Sequence, residues 1–158
     1  MLLFDFESDA ELDRIHWKCH ALYSLSGEFA SHGAKSLKME LYPAGYPDEY
    51  PGLSPFLKEK DWRGYRELRL DVYTPRDSAE SLWVSIDDRE KCPDYRDRYN
   101  KRFALRQGVN TIRIPLDALT TSGTERLLDR GKIARLLIFT VHPRKKVVLC
   151  IDAIRLTS

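Results

Sequence analysis

Glu67-Leu68-Arg69-Leu70-Asp71-Val72-Tyr73 alternates without a break: Leu68, Leu70 and Val72 fall on one side of an extended chain, Arg69, Asp71 and Tyr73 on the other. On a helix, residues two apart point roughly 200° from each other, so this pattern belongs to a strand with one apolar face. The same reading extends outward. Leu82-Trp83-Val84-Ser85-Ile86-Asp87 places Leu82, Val84 and Ile86 inward, and Asn110-Thr111-Ile112-Arg113-Ile114-Pro115 does so with Ile112 and Ile114. Pro115 ends that pairing, because proline has no amide to donate. Ser36 to Leu41 offers Leu37, Met39 and Leu41. Leu136 to Val141, and Val147 to Ile151 running on to Leu156, are nearly continuous apolar runs, as strands buried on both faces require. Turn-like clusters separate these segments: Tyr73-Thr74-Pro75-Arg76-Asp77, Gln107-Gly108-Val109-Asn110 and His142-Pro143-Arg144-Lys145-Lys146. Helical period is found only at Thr124 to Gly131, about two turns before a glycine stop. Tyr42 to Pro55, rich in proline, tyrosine and glycine, reads as a long stiffened loop. Many short antiparallel strands with little helix give an all-β fold, a β-sandwich or jelly roll of two antiparallel sheets.

The composition bounds the rest. The 158 residues are 42% hydrophobic and 32% charged, with a formal net charge of +2. A chain of this length buries roughly 70% of its unfolded surface, enough for one domain spanning 1–158. The ordinary apolar fraction excludes disorder. No apolar run approaches the roughly 20 residues of a membrane helix. Near-neutrality argues against nucleic acid, whose binders concentrate positive charge. Cys19, Cys92 and Cys150 are an odd number, so no disulfide framework shapes the fold. Met1-Leu2-Leu3 runs into Phe4-Asp5-Phe6-Glu7 with no basic region or cleavage site, which fits a cytosolic chain or a piece of a longer exported one.

Three segments, in this order, resemble carbohydrate-binding modules of the galactose-binding-domain-like β-sandwich class. They are Phe4-Asp5-Phe6-Glu7-Ser8 followed by Trp17, then Ser31-His32-Gly33-Ala34-Lys35-Ser36-Leu37-Lys38-Met39, and the closing Leu149-Cys150-Ile151-Asp152-Ala153-Ile154-Arg155-Leu156. Asp61-Trp62-Arg63-Gly64-Tyr65 and Gly108 to Leu116 fit between them, so the resemblance spans nearly the whole chain. It implies a structural calcium held by the carboxylates of Glu7 and Asp152 with backbone oxygens near Ser31 and Lys35. Calcium accepts carbonyls beside carboxylates. The alternative is that Asp152 hydrogen-bonds backbone amides or Arg155 with no metal. It also implies that Trp17 and Trp62 are spent on packing.

The function implied is non-catalytic binding of a polysaccharide or oligosaccharide by a module tethered to other domains, monomeric, without nucleic acid or membrane insertion. An extracytoplasmic or secreted location goes with that role. A sugar site needs flat aromatic faces and planar polar groups. Trp83 and Asp87, Tyr73 on a neighbouring strand, Arg113 on a third, and Tyr95 and Tyr99 in the following segment supply them. Trp83 either faces water or is covered by the second sheet. The charge-dense stretch Asp87 to Tyr99 is either a solvated loop or a rim that binds vicinal hydroxyls or a uronate carboxylate through bidentate forks. Two other classes stay open. One is a protein-interaction or assembly domain, as in complex-I-assembly-factor-like proteins, which needs an exposed apolar patch or free strand edge. The other is a polysaccharide lyase or hydrolase, using Tyr99, Arg113 and His142 or the pair Asp87 and Asp88. Nucleophile-elbow, phosphate-loop and zinc-protease signatures are missing. His16 and His20 share one strand face while Cys19 takes the other, which breaks a zinc site.

Overall fold

The computed structural model describes residues 1–75 and 81–158; Arg76 and Asp77 of the first turn cluster lie outside them. Eleven strands form in the described residues: β1 (Leu2–Phe4), β2 (Ile15–Cys19), β3 (Ala21–Ser26), β4 (Ser36–Leu41), β5 (Gly52–Pro55) and β6 (Glu67–Thr74) come first. They are followed by β7 (Ser81–Asp87), β8 (Tyr99–Ala104), β9 (Gly108–Pro115), β10 (Arg135–Phe139) and β11 (Val147–Thr157). Two antiparallel sheets result. One runs β3-β4-β11-β6-β9 with β1 also on β11; the other runs β2-β5-β10-β7-β8.

The alternation sets which side of each sheet faces in. Leu68, Leu70 and Val72 of β6 and Ile112 and Ile114 of β9 are buried, as are Leu82, Val84 and Ile86 of β7 and Leu136 and Ile138 of β10. They form one apolar core between the sheets. Each fully buried aliphatic side chain there contributes roughly 1.5–3 kcal/mol. Strand β11 reads as a nearly continuous apolar run because it is central, paired with β6 on one side and with β4, then β1, on the other. Trp62 lies in this core as expected, its indole donating to the Glu59 carbonyl (3.1 Å).

Three expectations need correction. Trp17 is not packed: it is 40% exposed, because β2 pairs Trp17 with Ser54 on the outward row of its sheet. Thr124 to Gly131 forms no helix. Glu125 takes a left-handed φ of 53°, Thr120 bridges Leu127, and Arg126 is drawn out of any helical course by two carboxylates. Tyr42 to Pro55 is not all loop, since its last four residues are the buried strand β5. Gly52 permits that strand: a Cβ there would collide with the Ile138 carbonyl and Phe139.

Candidate functional site

The outward face of the second sheet carries an aromatic run. Trp83 sits mid-strand on β7, half-buried, opposite Phe139 of β10 and Arg102 of β8. Its ring stacks with Phe139 at 6.3 Å between centroids and 19° between planes. Phe139 occupies the space left by Gly52 and meets Tyr50 at 5.8 Å; Tyr50 in turn meets His142 at 5.7 Å. The run therefore crosses from β7 over β10 to the loops flanking β5 and β10. Exposed Trp17 lies on β2 at the far edge of the same face, three strand spacings away, or about 14 Å. Trp83 thus faces outward and the other sheet does not cover it. Phe139 and Trp17 are the parts of this surface that sequence reasoning missed, whereas Tyr50 lies in the loop that the sequence offers as either a cleft wall or a cover over a sheet edge. An aromatic ending an apolar run opposite a glycine is the signal that could have found Phe139.

Beside the aromatics, the charged segment after β7 is tied down. Asp87 is fully enclosed; its Oδ2 accepts from Arg135 Nε (3.0 Å) and its Oδ1 from the Arg89 amide (3.2 Å). Burial pushes the Asp87 carboxyl above its ordinary value, and Arg135 opposes that shift. Asp88 takes a two-pronged bond from Arg126 (2.8 and 2.9 Å) and the Asp129 amide (2.7 Å), which holds its pKa at about 2. Arg126 also reaches Asp97 Oδ1 at 3.1 Å. Arg98 donates to the Pro93 carbonyl and the Cys92 sulfur. Asn100 Nδ2 holds the Tyr95 carbonyl (2.8 Å) and Ser122 (3.0 Å). The stretch is a pinned wall, and Tyr95 stands on it, partly exposed, its phenol shifted upward mainly by burial and then by Tyr50 nearby. Ser85 Oγ and Asn100 Oδ1, across the ladder from each other, are buried without a hydrogen-bond partner.

The other expected site residues go elsewhere. Tyr99 faces the core at 7% exposure, where burial raises its phenol to about 12. Tyr73 and Arg113 project from β6 and β9 of the first sheet, on the opposite side of the molecule. There Tyr73 stacks on Phe29 (5.0 Å) and Arg113 lies across from Arg69. Packed sheets are about 10 Å apart, so neither residue shares a ligand with Trp83. For the same reason Tyr99, Arg113 and His142 do not converge into a lyase centre. Asp87 and Asp88 each hold their own arginine and do not face one bond.

Glu7 and Asp152 both turn to the 31–35 loop. Asp152 Oδ2 accepts from the Ser31 and His32 amides (2.8 and 2.9 Å), and Oδ1 from the Ala153 amide (2.7 Å). Glu7 accepts from the Ala34 and Lys35 amides (2.9–3.1 Å). The loop thus points N–H groups, not carbonyl oxygens, at the carboxylates. Amide donors neutralise a carboxylate and repel a cation, so this arrangement does not fit calcium unless the loop turns over. Among the described residues no group of three or more His, Cys, Asp or Glu side chains gathers to hold a metal.

No protein-family model matches the chain, and no curated protein does. Solved structures do match. An exo-β-agarase superposes with a TM-score of 0.76 at 18% identity over 99% of this chain, which spans only 25% of the agarase. CtCBM11 gives 0.74 at 16% identity, with 100% of this chain and 94% of that module covered. The family 11 carbohydrate-binding module of Clostridium thermocellum, in complex with a β-1,3-1,4-mixed-linked tetrasaccharide, gives 0.66 at 17% identity. At these identities the likeness establishes architecture: the chain has the β-sandwich fold seen in carbohydrate-binding modules.

Proposed function

We propose that the chain is a non-catalytic carbohydrate-binding module whose ligand lies across the outward face of the second sheet. The observation that carries this reading is Trp83, held mid-strand on the outward row of its sheet, half-buried, with its ring stacked on Phe139. An indole backed by a second ring and anchored on a strand is a rigid platform for the apolar face of a sugar. Tyr50, Tyr95 and Trp17 extend that platform. The fold supports it, since family 11 modules match over the full chain and one of them is bound to a tetrasaccharide. Asp87 and Asp88, the carboxylates a hydrolase would use, are spent on Arg135 and Arg126. Matching a quarter of an agarase supports tethering to a larger polypeptide, and an extracellular setting follows from such a role. Among the described residues no helix is long and apolar enough to cross a membrane.

Binding through a few stacking contacts falls in the micromolar to millimolar range, roughly −4 to −8 kcal/mol. Affinity electrophoresis through gels containing mixed-linkage β-glucan, agar or a polyuronate tests the reading. The wild-type chain is retarded by at least one of them, and Trp83→Ala loses most of that retardation while still unfolding cooperatively on heating. Retardation by no polysaccharide, or a Trp83→Ala chain retarded as strongly as the wild type, overturns it.

A further inference from the structure

We propose that the ligand of this face is an acidic polysaccharide, a polyuronate whose carboxylate is gripped by Arg102; this rests on the sugar-binding reading above and narrows it. The ladder between β7 and β8 sets Arg102 directly across from Trp83, so the two side chains project from the same outward face with Cβ atoms about 5 Å apart. A sugar ring stacked on the indole has its substituents beside the guanidinium.

Arg102 is exposed and makes no hydrogen bond, ion pair or ring contact among the described residues. Its neighbours differ. Arg135 is committed to Asp87, Arg126 to Asp88 and Asp97, Arg89 to Asp97, and Arg98 to a carbonyl and a sulfur. The acids are equally committed, Asp94 included, whose carboxylate caps the Arg96 amide. Glu90 alone stands exposed without a side-chain partner. Asp87 to Arg102, with Arg126 and Arg135, hold five acids against eight bases, so the charge left over is positive. An unpaired guanidinium flanking an aromatic platform matches a planar carboxylate bidentately and adds a charge attraction that neutral hydroxyls lack.

Isothermal titration of the intact chain tests this with four polysaccharides: polygalacturonate, its fully methyl-esterified form, mixed-linkage β-glucan and a sulfated galactan. Polygalacturonate is expected to bind about tenfold or more tightly than the esterified form, and the difference to shrink as salt rises. Arg102→Gln removes that preference, Arg102→Lys keeps part of it, and both retain the wild-type thermal midpoint. Equal binding of charged and esterified chains, β-glucan bound best, or a preference untouched by Arg102→Gln overturns the proposal while leaving the sugar-binding reading in place. A sulfated galactan bound best through Arg102 overturns the assignment to carboxylate. Binding of none of the four overturns the underlying reading.

Discussion

Asp87 and Asp88 follow each other in sequence and carry opposite electrostatics. Desolvation raises Asp87, so its charge is costly in the fold despite Arg135. Asp88 is lowered from 3.8 to about 2, chiefly by its hydrogen bonds from Arg126. A depressed carboxyl stabilises the fold above its unfolded pKa and loses that contribution as pH falls through the folded value. The Asp88–Arg126 tie therefore weakens between about pH 4 and pH 2, and Asp87, shifted the other way, adds nothing to this loss. Replacing Asp88 by Asn should cost about 2–3 kcal/mol, since it removes the two-pronged partner of a half-buried guanidinium and leaves it Asp97 alone, and should flatten the acid limb of a thermal-midpoint-against-pH curve. Asp87→Asn should cost less, because the neutral side chain escapes the desolvation that Asp87 suffers. Equal midpoints for Asp88→Asn and wild type across pH 2–7 would contradict these roles. Neither role was legible in the sequence, where alternation says only that adjacent residues face opposite ways. The partners Arg126 and Arg135 lie 38 and 48 residues away.

At the scale of elements, the outward platform depends on β5. Gly52 leaves room for Phe139, whose ring stacks with that of Trp83, and Gly52→Val would drive a branched side chain into the Ile138 carbonyl and Phe139. Loss of about 2 kcal/mol or more in chemical denaturation is expected, with weaker polysaccharide binding even where the chain remains folded. A stable, fully binding Gly52→Val chain would show that Phe139 is not the support. The 31–35 loop is the second such element. It is clasped by Glu7 and Asp152, and a bulge at Ala153 (φ 47°) turns Asp152 and Arg155 outward together. Because amides already satisfy both carboxylates, the thermal midpoint should be the same in calcium and in chelator. A midpoint raised by calcium would mean that the loop turns over to offer its carbonyl oxygens. Gly33→Ala should open the clasp, as Gly33 holds φ at 71° and a Cβ would strike the Glu7 carboxylate. The resemblance groups Glu7, Ser31, Lys35 and Asp152 as calcium ligands, and the fold groups the same four through amide-to-carboxylate hydrogen bonds instead. The sense of the loop, amides in or carbonyls in, depends on backbone dihedrals that residue types do not specify.

For the whole molecule, period-two alternation was enough to identify β4, β6, β7 and β9, since one buried face per strand leaves that mark directly in the chain, and nearly continuous apolar runs marked β10 and β11. β5 and β8 were hidden by proline and by charge. Sheet membership was not legible: β6 and β7 are consecutive and alternate alike, yet belong to different sheets. That crossover sends Tyr73 and Arg113 to one side of the molecule and Trp83 to the other, although all three read as outward residues of neighbouring strands. The most direct test of the binding face is a titration of the isotope-labelled chain with polygalacturonate fragments, followed by amide and indole NMR shifts. Shifts are expected at the Trp83 indole and along β7, β8 and β10, with the Trp62 indole and β9 unmoved. Shifts confined to β6 and β9 around Tyr73 and Arg113, or none at saturating ligand, would contradict binding on that face.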